Sequence, residues 1–181
     1  LTSCEEINLK YNGGGDLKAL FFIMVTIFNI SDLAFAVSND ENAISYTSEI
    51  LDVPFYRQEN DVWCGQASAQ MILSYYGVNM SQEEIAWHTG YSRTNWGHWS
   101  WFYRWMDLGY IIVKDYAELE GYVGLYPIMF LDLEKKHWTV ISGKIKVGDE
   151  TIWIVNDPYI SILLKLSPEV DFIAIVVVGE Q

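Results

Sequence analysis

A cysteine, a histidine, a carboxylate and a glutamine stand in this chain where acyl transfer would need them. Cys64 lies in the run Gln58-Glu59-Asn60-Asp61-Val62-Trp63-Cys64-Gly65-Gln66-Ala67-Ser68, where polar residues give way to a helical pattern. The first amides of a helix lack intrahelical partners, and the helix dipole favours an anion there. A thiol at that place is drawn from a pKa of about 8.5 into the range of roughly 3.5–7.5, more so beside an imidazolium. Gly65 leaves room for a substrate backbone next to the sulfur, and Trp63 flanks it on the other side; both are expected to line the substrate site. Upstream, Gln58 offers a side-chain amide able to fold back beside the sulfur and join the Cys64 backbone N–H as an oxyanion hole. Such a donor is worth about 2.7–4 kcal/mol to a tetrahedral transition state. The competing reading of Cys64 is a buried structural thiol, which fits poorly with the polar run before it.

The chain has three histidines. His137 opens the strand-like run His137-Trp138-Thr139-Val140-Ile141-Ser142-Gly143, so it sits at the mouth of a sheet and can face the helix that begins at Cys64. The next strand pattern, Thr151–Val155, leads into Asn156-Asp157-Pro158, and either Asn156 or Asp157 can accept the second ring N–H of His137 and fix its tautomer. An ordinary Asp-Pro turn explains the same residues. His88 reads as a surface or capping residue. His98, in Asn95-Trp96-Gly97-His98-Trp99, is expected with Trp99 to line the cleft and touch substrate. No metal-ligand spacing appears among these residues, and no metal or cofactor is expected.

The elements that must position these groups are legible in outline. Ala67, Met71, Ile72, Tyr75 and Tyr76 recur at helical spacing from Cys64 to Tyr76, and Gly77 stops them. Ser81 and Glu84 make a capping-box pattern for a second helix ending near Gly90. A third spans roughly Trp99–Leu108; in it Trp101 and Trp105 share a face with Phe102 beside them, as a core requires, although the aromatic run could also line one side of a cleft. Leu51–Tyr56 reads as a short edge strand, because Pro54 has no N–H to donate. Strands then follow at Tyr110–Val113, Tyr126–Leu131, His137–Ile145, Thr151–Val155, Ser161–Leu166 and Phe172–Val178. Helices first and consecutive strands afterwards indicate an α+β fold.

Taken together, Val53-Pro54-Phe55-Tyr56-x-Gln58, Trp63-Cys64-Gly65-x-Ala67-Ser68, Tyr75-Tyr76-Gly77, His137-Trp138-x-Val140 and Asn156-Asp157-Pro158 resemble the bacteriocin-leader-processing type of cysteine peptidase and its exported relatives. The resemblance implies a papain-like fold with N-terminal helices packed on a C-terminal antiparallel sheet. It also implies a reactive Cys64–His137 pair, Gln58 at the oxyanion, and Asp157 in preference to Asn156. Papain itself is excluded: its nucleophile lies in Cys-Gly-Ser-Cys-Trp, with the histidine about 130–150 residues downstream. The leader-processing enzymes are fused to transporters in the cytoplasm. Here the leader points outward, so double-glycine cleavage is not expected.

That leader is the apolar run Leu20–Phe28, preceded by Lys18 and followed by Ala34-Phe35-Ala36. A short positive start, about 7–15 apolar residues and a small-x-small site describe a secretory signal peptide spanning 17–36, cleaved after Ala36. The run is shorter than the roughly 20 residues that span a bilayer, so no stable membrane insertion is expected. Residues 1–16 read as untranslated or leader sequence, since Gly13-Gly14-Gly15-Asp16 is what a purine-rich ribosome-binding site would encode. Residues 37–49 read as a flexible mature terminus and 50–181 as one domain. Cys4 falls in the leader, which leaves Cys64 as the sole thiol of the mature chain. A net charge of −13 without a basic cluster disfavours nucleic acid as a partner. The expected protein is a secreted or cell-surface monomer that hydrolyses peptide or protein substrates through a thioester. A transpeptidase or amidase with the same residues, or a non-catalytic binding module of the same fold, are the alternatives.

Overall fold

The computed structural model describes residues 46–92, 94–147, 149–166 and 170–180. The apolar run Leu20–Phe28, the Ala34–Ala36 site and residues 1–16 lie outside the described residues. Among those described, no helix is long and apolar enough to cross a membrane.

A short strand, β1 (Tyr46–Ile50), comes first and three helices follow. α1 (Cys64–Tyr75) turns Ala67, Ala69, Met71, Ile72 and Leu73 inward. It ends where Gly77 takes φ +77, letting Gly77 N–H donate to the Ser74 carbonyl and Val78 N–H to that of Leu73. α2 (Gln82–Thr89) starts on the expected capping box, with Ser81 and Glu84 satisfying each other's backbone N–H. α3 spans Trp96–Trp105, three residues earlier than the pattern of aromatics suggests. Its start is set by Asn95, whose Oδ1 accepts from the N–H groups of Gly97 (3.0 Å) and His98 (3.3 Å). Asp107, at φ 57, then turns the chain directly into β2 (Leu108–Val113). A fourth helix that the sequence did not announce, α4 (Tyr116–Glu120), is capped by Asp115.

The remaining strands are β3 (Ile128–Asp132), β4 (His137–Val147), β5 (Glu150–Asp157), β6 (Ser161–Leu166) and β7 (Phe172–Glu180). They pair antiparallel in the order β2-β7-β3-β4-β5-β6. The fold is therefore the expected α+β arrangement, with the helices drawn mostly from the first half and the sheet from the second.

One strand is misplaced by the sequence reading. Leu51–Tyr56 is not a strand; β1 lies just before it, inside the stretch expected to be flexible. β1 runs along β4 beyond the end of β3: β3 pairs with His137–Ile141 of β4, and β1 with Gly143–Val147. The reason is steric. A Cβ on Gly143 would stand 2.4 Å from the Glu49 carbonyl oxygen and 2.8 Å from Ile50 Cα, so only a glycine lets β1 approach this closely. Lys144 adds an electrostatic tie: its Nζ donates to the Glu120 carbonyl (3.0 Å) and lies 3.3 Å from the Glu49 carboxylate.

Period-2 alternation gives the sheet two apolar faces. Met129, Leu131, Trp138, Val140, Ile175 and Val177 share one core with α1–α3. Ile128, Phe130, Ile141, Trp153, Val155 and Val176 share another with Leu119 and Val123 around α4. The aromatic run of α3 divides in a way its spacing misjudges: Trp99, Phe102 and Tyr103 are fully buried, while Trp101 and Trp105 stay about half exposed.

Candidate active site

Cys64 is the first residue of α1, and only 8% of its surface is exposed. No side chain caps this helix and no acidic residue occupies its first turn, so the N-terminal amides and dipole have no built-in anion to face. Burial pushes the Cys64 thiol up. Hydrogen bonds with the His137 side chain and the backbones of Trp138 and Gly65, together with the His137 charge, overcome that and hold its pKa below the ordinary thiol value.

His137 is the first residue of β4, as the strand pattern indicated. Its Nε2 lies 2.8 Å from Asp157 Oδ1 at the last position of β5. That leaves Nδ1 for its hydrogen bond with Cys64. Burial alone would depress the imidazolium. The hydrogen bonds to Asp157 and Cys64, and the charges of both, win and raise the pKa to about 9. Asp157 is itself buried at 4% exposure, and its Oδ1 also accepts the Tyr159 N–H at 3.0 Å.

The choice between Asn156 and Asp157 is decided by strand parity, since successive residues face opposite sides. Asn156 looks the other way. Its Nδ2 donates to the Val53 carbonyl (3.3 Å), and its Oδ1 accepts from Ser142 (3.3 Å). Asn156 thereby ties down the extended segment that leads towards Cys64, and Asp157 partners His137.

Gln58 reaches this region through its backbone. Its N–H donates to the Pro158 carbonyl at 2.9 Å, directly after Asp157. Its side-chain Nε2 donates to the Asn60 carbonyl at 2.9 Å, which leaves one amide N–H, and its buried Oε1 has no hydrogen-bond partner.

The model of the peptidase C39-like family matches residues 50–163 of the 181. The chain belongs to this family. Among solved structures it is similar in fold to a double-glycine-motif protease of an AMS/PCAT transporter, crystallised with its leader peptide. The TM-score is 0.56 at 21% identity, over 71% of this chain and 93% of that one. It is also similar to the peptidase domain of Streptococcus ComA, a bifunctional ABC transporter of a quorum-sensing pathway (TM-score 0.55, 14% identity, 71% and 99% covered). A third similar fold is a C39-like peptidase from Bacillus anthracis (TM-score 0.54, 14% identity, 75% and 99% covered). No curated protein matches the chain in sequence.

Within this C39-like domain, several residues expected at the substrate do other work. Trp99 is fully buried, with its ring edge-on to Trp138 and Phe102. It is a wall of the core behind the cysteine, not a surface a substrate could touch. Gly65 is likewise buried: a Cβ there would stand 2.6 Å from both Thr94 Oγ1 and the Trp99 ring, and 3.2 Å from Trp138. Its smallness is required by Thr94, Trp99 and Trp138, not by a substrate backbone. His98 is exposed and completes the α3 cap, its Nδ1 accepting the Asn95 N–H at 3.3 Å. Trp63 remains half-exposed at the N-cap of α1, with Nε1 donating to the Tyr91 carbonyl at 3.3 Å. His88 lies against the Trp105 ring, 4.1 Å between centroids. Sequence reasoning gave no structural role to Trp138, quoted only within the family motif, or to Thr94; they are bonded through Trp138 Nε1 and the Thr94 carbonyl and both crowd Gly65, the neighbour of Cys64. The tryptophan directly after His137 was the available signal. Among the described residues, no group of three or more His, Cys, Asp or Glu could hold a metal.

Proposed function

We propose that this C39-like chain is a cysteine peptidase that hydrolyses peptide bonds through a thioester acyl-enzyme. The observation that carries the reading is the line Cys64–His137–Asp157, in which the thiol is held acidic and the imidazole basic by each other and by a buried carboxylate. Both shifts favour transfer of the thiol proton to His137.

The Cys64 thiolate attacks the scissile carbonyl carbon, forming the S–C bond as the carbonyl π pair moves to oxygen. The Cys64 backbone N–H has no intrahelical acceptor at this first helical position. That N–H and the remaining amide N–H of Gln58 serve the oxyanion. Collapse breaks the C–N bond, and the imidazolium of His137 gives its proton to the leaving amine. Neutral His137 then takes a proton from water as the hydroxyl adds to the thioester. The acid departs, and the thiolate–imidazolium pair is restored. Asp157 holds the ring by Nε2 throughout. Half-exposed Trp63 directly precedes the nucleophile and would flank a bound substrate.

A peptide substrate is favoured by the family and by the related protease that was crystallised with a leader peptide. Export as a secreted or cell-surface protein is supported by Lys18, the apolar run and Ala34–Ala36. The test is mass spectrometry of a peptide library digested by wild type and by Cys64→Ala, with N-terminal sequencing of the protein from its host. New termini made only by the wild type, and a mature N-terminus at Val37, are the expected results. A library left intact rejects hydrolysis, and a mature chain retaining Leu20–Phe28 rejects export.

A further inference from the structure

Gln82 is the first residue of α2 and only 1% exposed, yet its side chain does not cap its own helix; Ser81 and Glu84 do that. Its amide instead brackets Gln58. Nε2 donates to the Arg57 carbonyl at 2.8 Å, and Oε1 accepts the Glu59 N–H at 2.9 Å. The orientation of this amide is fixed, because the Arg57 carbonyl can only accept and the Glu59 N–H only donate; Nε2 also donates to Gln70 Oε1 on α1 at 3.0 Å. The peptide groups on both sides of Gln58 are thus held by one buried side chain, while the Gln58 N–H is held by Pro158. A loop residue meant only to connect would not need this. An oxyanion donor does, because it must already point at the developing charge before the reaction begins.

We propose that Gln82 is a positioning residue for the oxyanion arm: it acts on the reaction only through Gln58, by splinting the backbone on either side of it. The inference rests on the peptidase reading and on Gln58 as oxyanion donor. Gln82 follows the capping residue Ser81 directly, so the start of α2 is tied to the loop that precedes Cys64.

In a Cys4→Ser background, where Cys64 is the sole thiol, the experiment measures single-turnover acylation of Cys64 by N-acetylglycine p-nitrophenyl ester in the otherwise wild-type chain, Gln58→Ala, Gln82→Met and the double variant. Iodoacetamide alkylation is measured on the same four proteins. Methionine keeps the buried volume without the hydrogen bonds, and Gln82→Glu, which keeps the acceptor for Glu59, serves if the methionine variant does not fold. Alkylation displaces iodide at a saturated carbon and makes no oxyanion, so it reports the thiolate alone. The expected result is acylation slowed about 10- to 100-fold by Gln82→Met, no further slowing when Gln58 is already Ala, and unchanged alkylation in all four. Equal slowing in both backgrounds, or a parallel fall in alkylation, overturns the proposal in favour of general destabilisation. If Gln58→Ala leaves acylation unchanged, the oxyanion arm and its splint are both rejected while the Cys64–His137 pair stands. A wild type that alkylates fast but does not acylate rejects the peptidase reading itself.

Discussion

Asn156 and Asp157 are neighbours with similar side chains and opposite tasks, and substitutions should separate them. Asp157→Ala removes the acceptor of both His137 Nε2 and the Tyr159 N–H and is expected to lower kcat/KM by about 10²-fold, with a stability cost of about 1–3 kcal/mol from the stranded partners. Asn156→Ala strips the Val53 carbonyl and Ser142 of a buried partner and is expected to lower stability by about 1–3 kcal/mol. Urea unfolding read beside steady-state kinetics checks both; a larger fall in kcat/KM for Asn156→Ala would move the triad role to Asn156. The pH profile follows from the same pair. Below the lowered thiol pKa Cys64 is protonated and cannot attack, and above about 9 His137 has lost the proton that the leaving amine needs. A bell is therefore expected, with its two limbs belonging to the coupled pair. Because the Asp157 charge helps raise the upper limit, Asp157→Asn should move the alkaline limb to lower pH. Cys64 and His137 were legible as chemistry because each stands at an element boundary, and Gln58 because it lies shortly upstream of the cysteine. Residue pattern alone left Asp157 and Asn156 open and only the family resemblance favoured Asp157, since parity depends on strand register and β4 and β5 slip register between Ile141 and Gly143.

The nucleophile's helix is positioned by contacts that leave no slack. Gly65 lies against Thr94, Trp99 and Trp138, two of which come from α3 and β4. Gly65→Ala is expected to cost about 1–3 kcal/mol in thermal or denaturant unfolding, together with a loss of Cys64 reactivity; full stability would mean that the neighbours can give way. The Asn95 cap supports the same wall by fixing the start of α3. Asn95→Ala should cost about 0.5–2 kcal/mol, measured by urea unfolding. The capping box of α2 and the stop at Gly77 were readable because capping chemistry is local. β1 was not: its sequence, Tyr-Thr-Ser-Glu-Ile, carries no apolar alternation, and what recruits it is Gly143 and Lys144, remote in sequence. The same limit explains Trp99 and Trp101. Helical spacing groups aromatic residues on faces, but only packing against β4 and α1 decides which face is inside.

On the proposed reading, the N-terminal half supplies the nucleophile and the sheet its base and carboxylate, so Cys64 and His137 meet only when helices and sheet are docked. The helix-then-strand order was enough to read that architecture from sequence, and the family match is consistent with it. The net charge of −13 acts at longer range than any of these contacts. It should speed encounter with cationic peptides at low ionic strength, an advantage screened within about 8–10 Å as salt rises to physiological values and above. The expected outcome is a kcat/KM that falls with added NaCl for a lysine-rich peptide and changes little for a neutral one. Equal salt dependence for the two would remove charge steering from the mechanism.

The proposed thiolate–imidazolium pair is tested most directly by alkylation. In a Cys4→Ser background, where Cys64 is the sole thiol, the rate of iodoacetamide modification is measured from pH 4 to 9 for the parent and for His137→Ala. Fast modification that persists well below pH 7 in the parent and collapses to ordinary thiol behaviour in His137→Ala is the predicted result. Modification that rises only near pH 8.5 in both proteins, as for an unperturbed thiol, would contradict it.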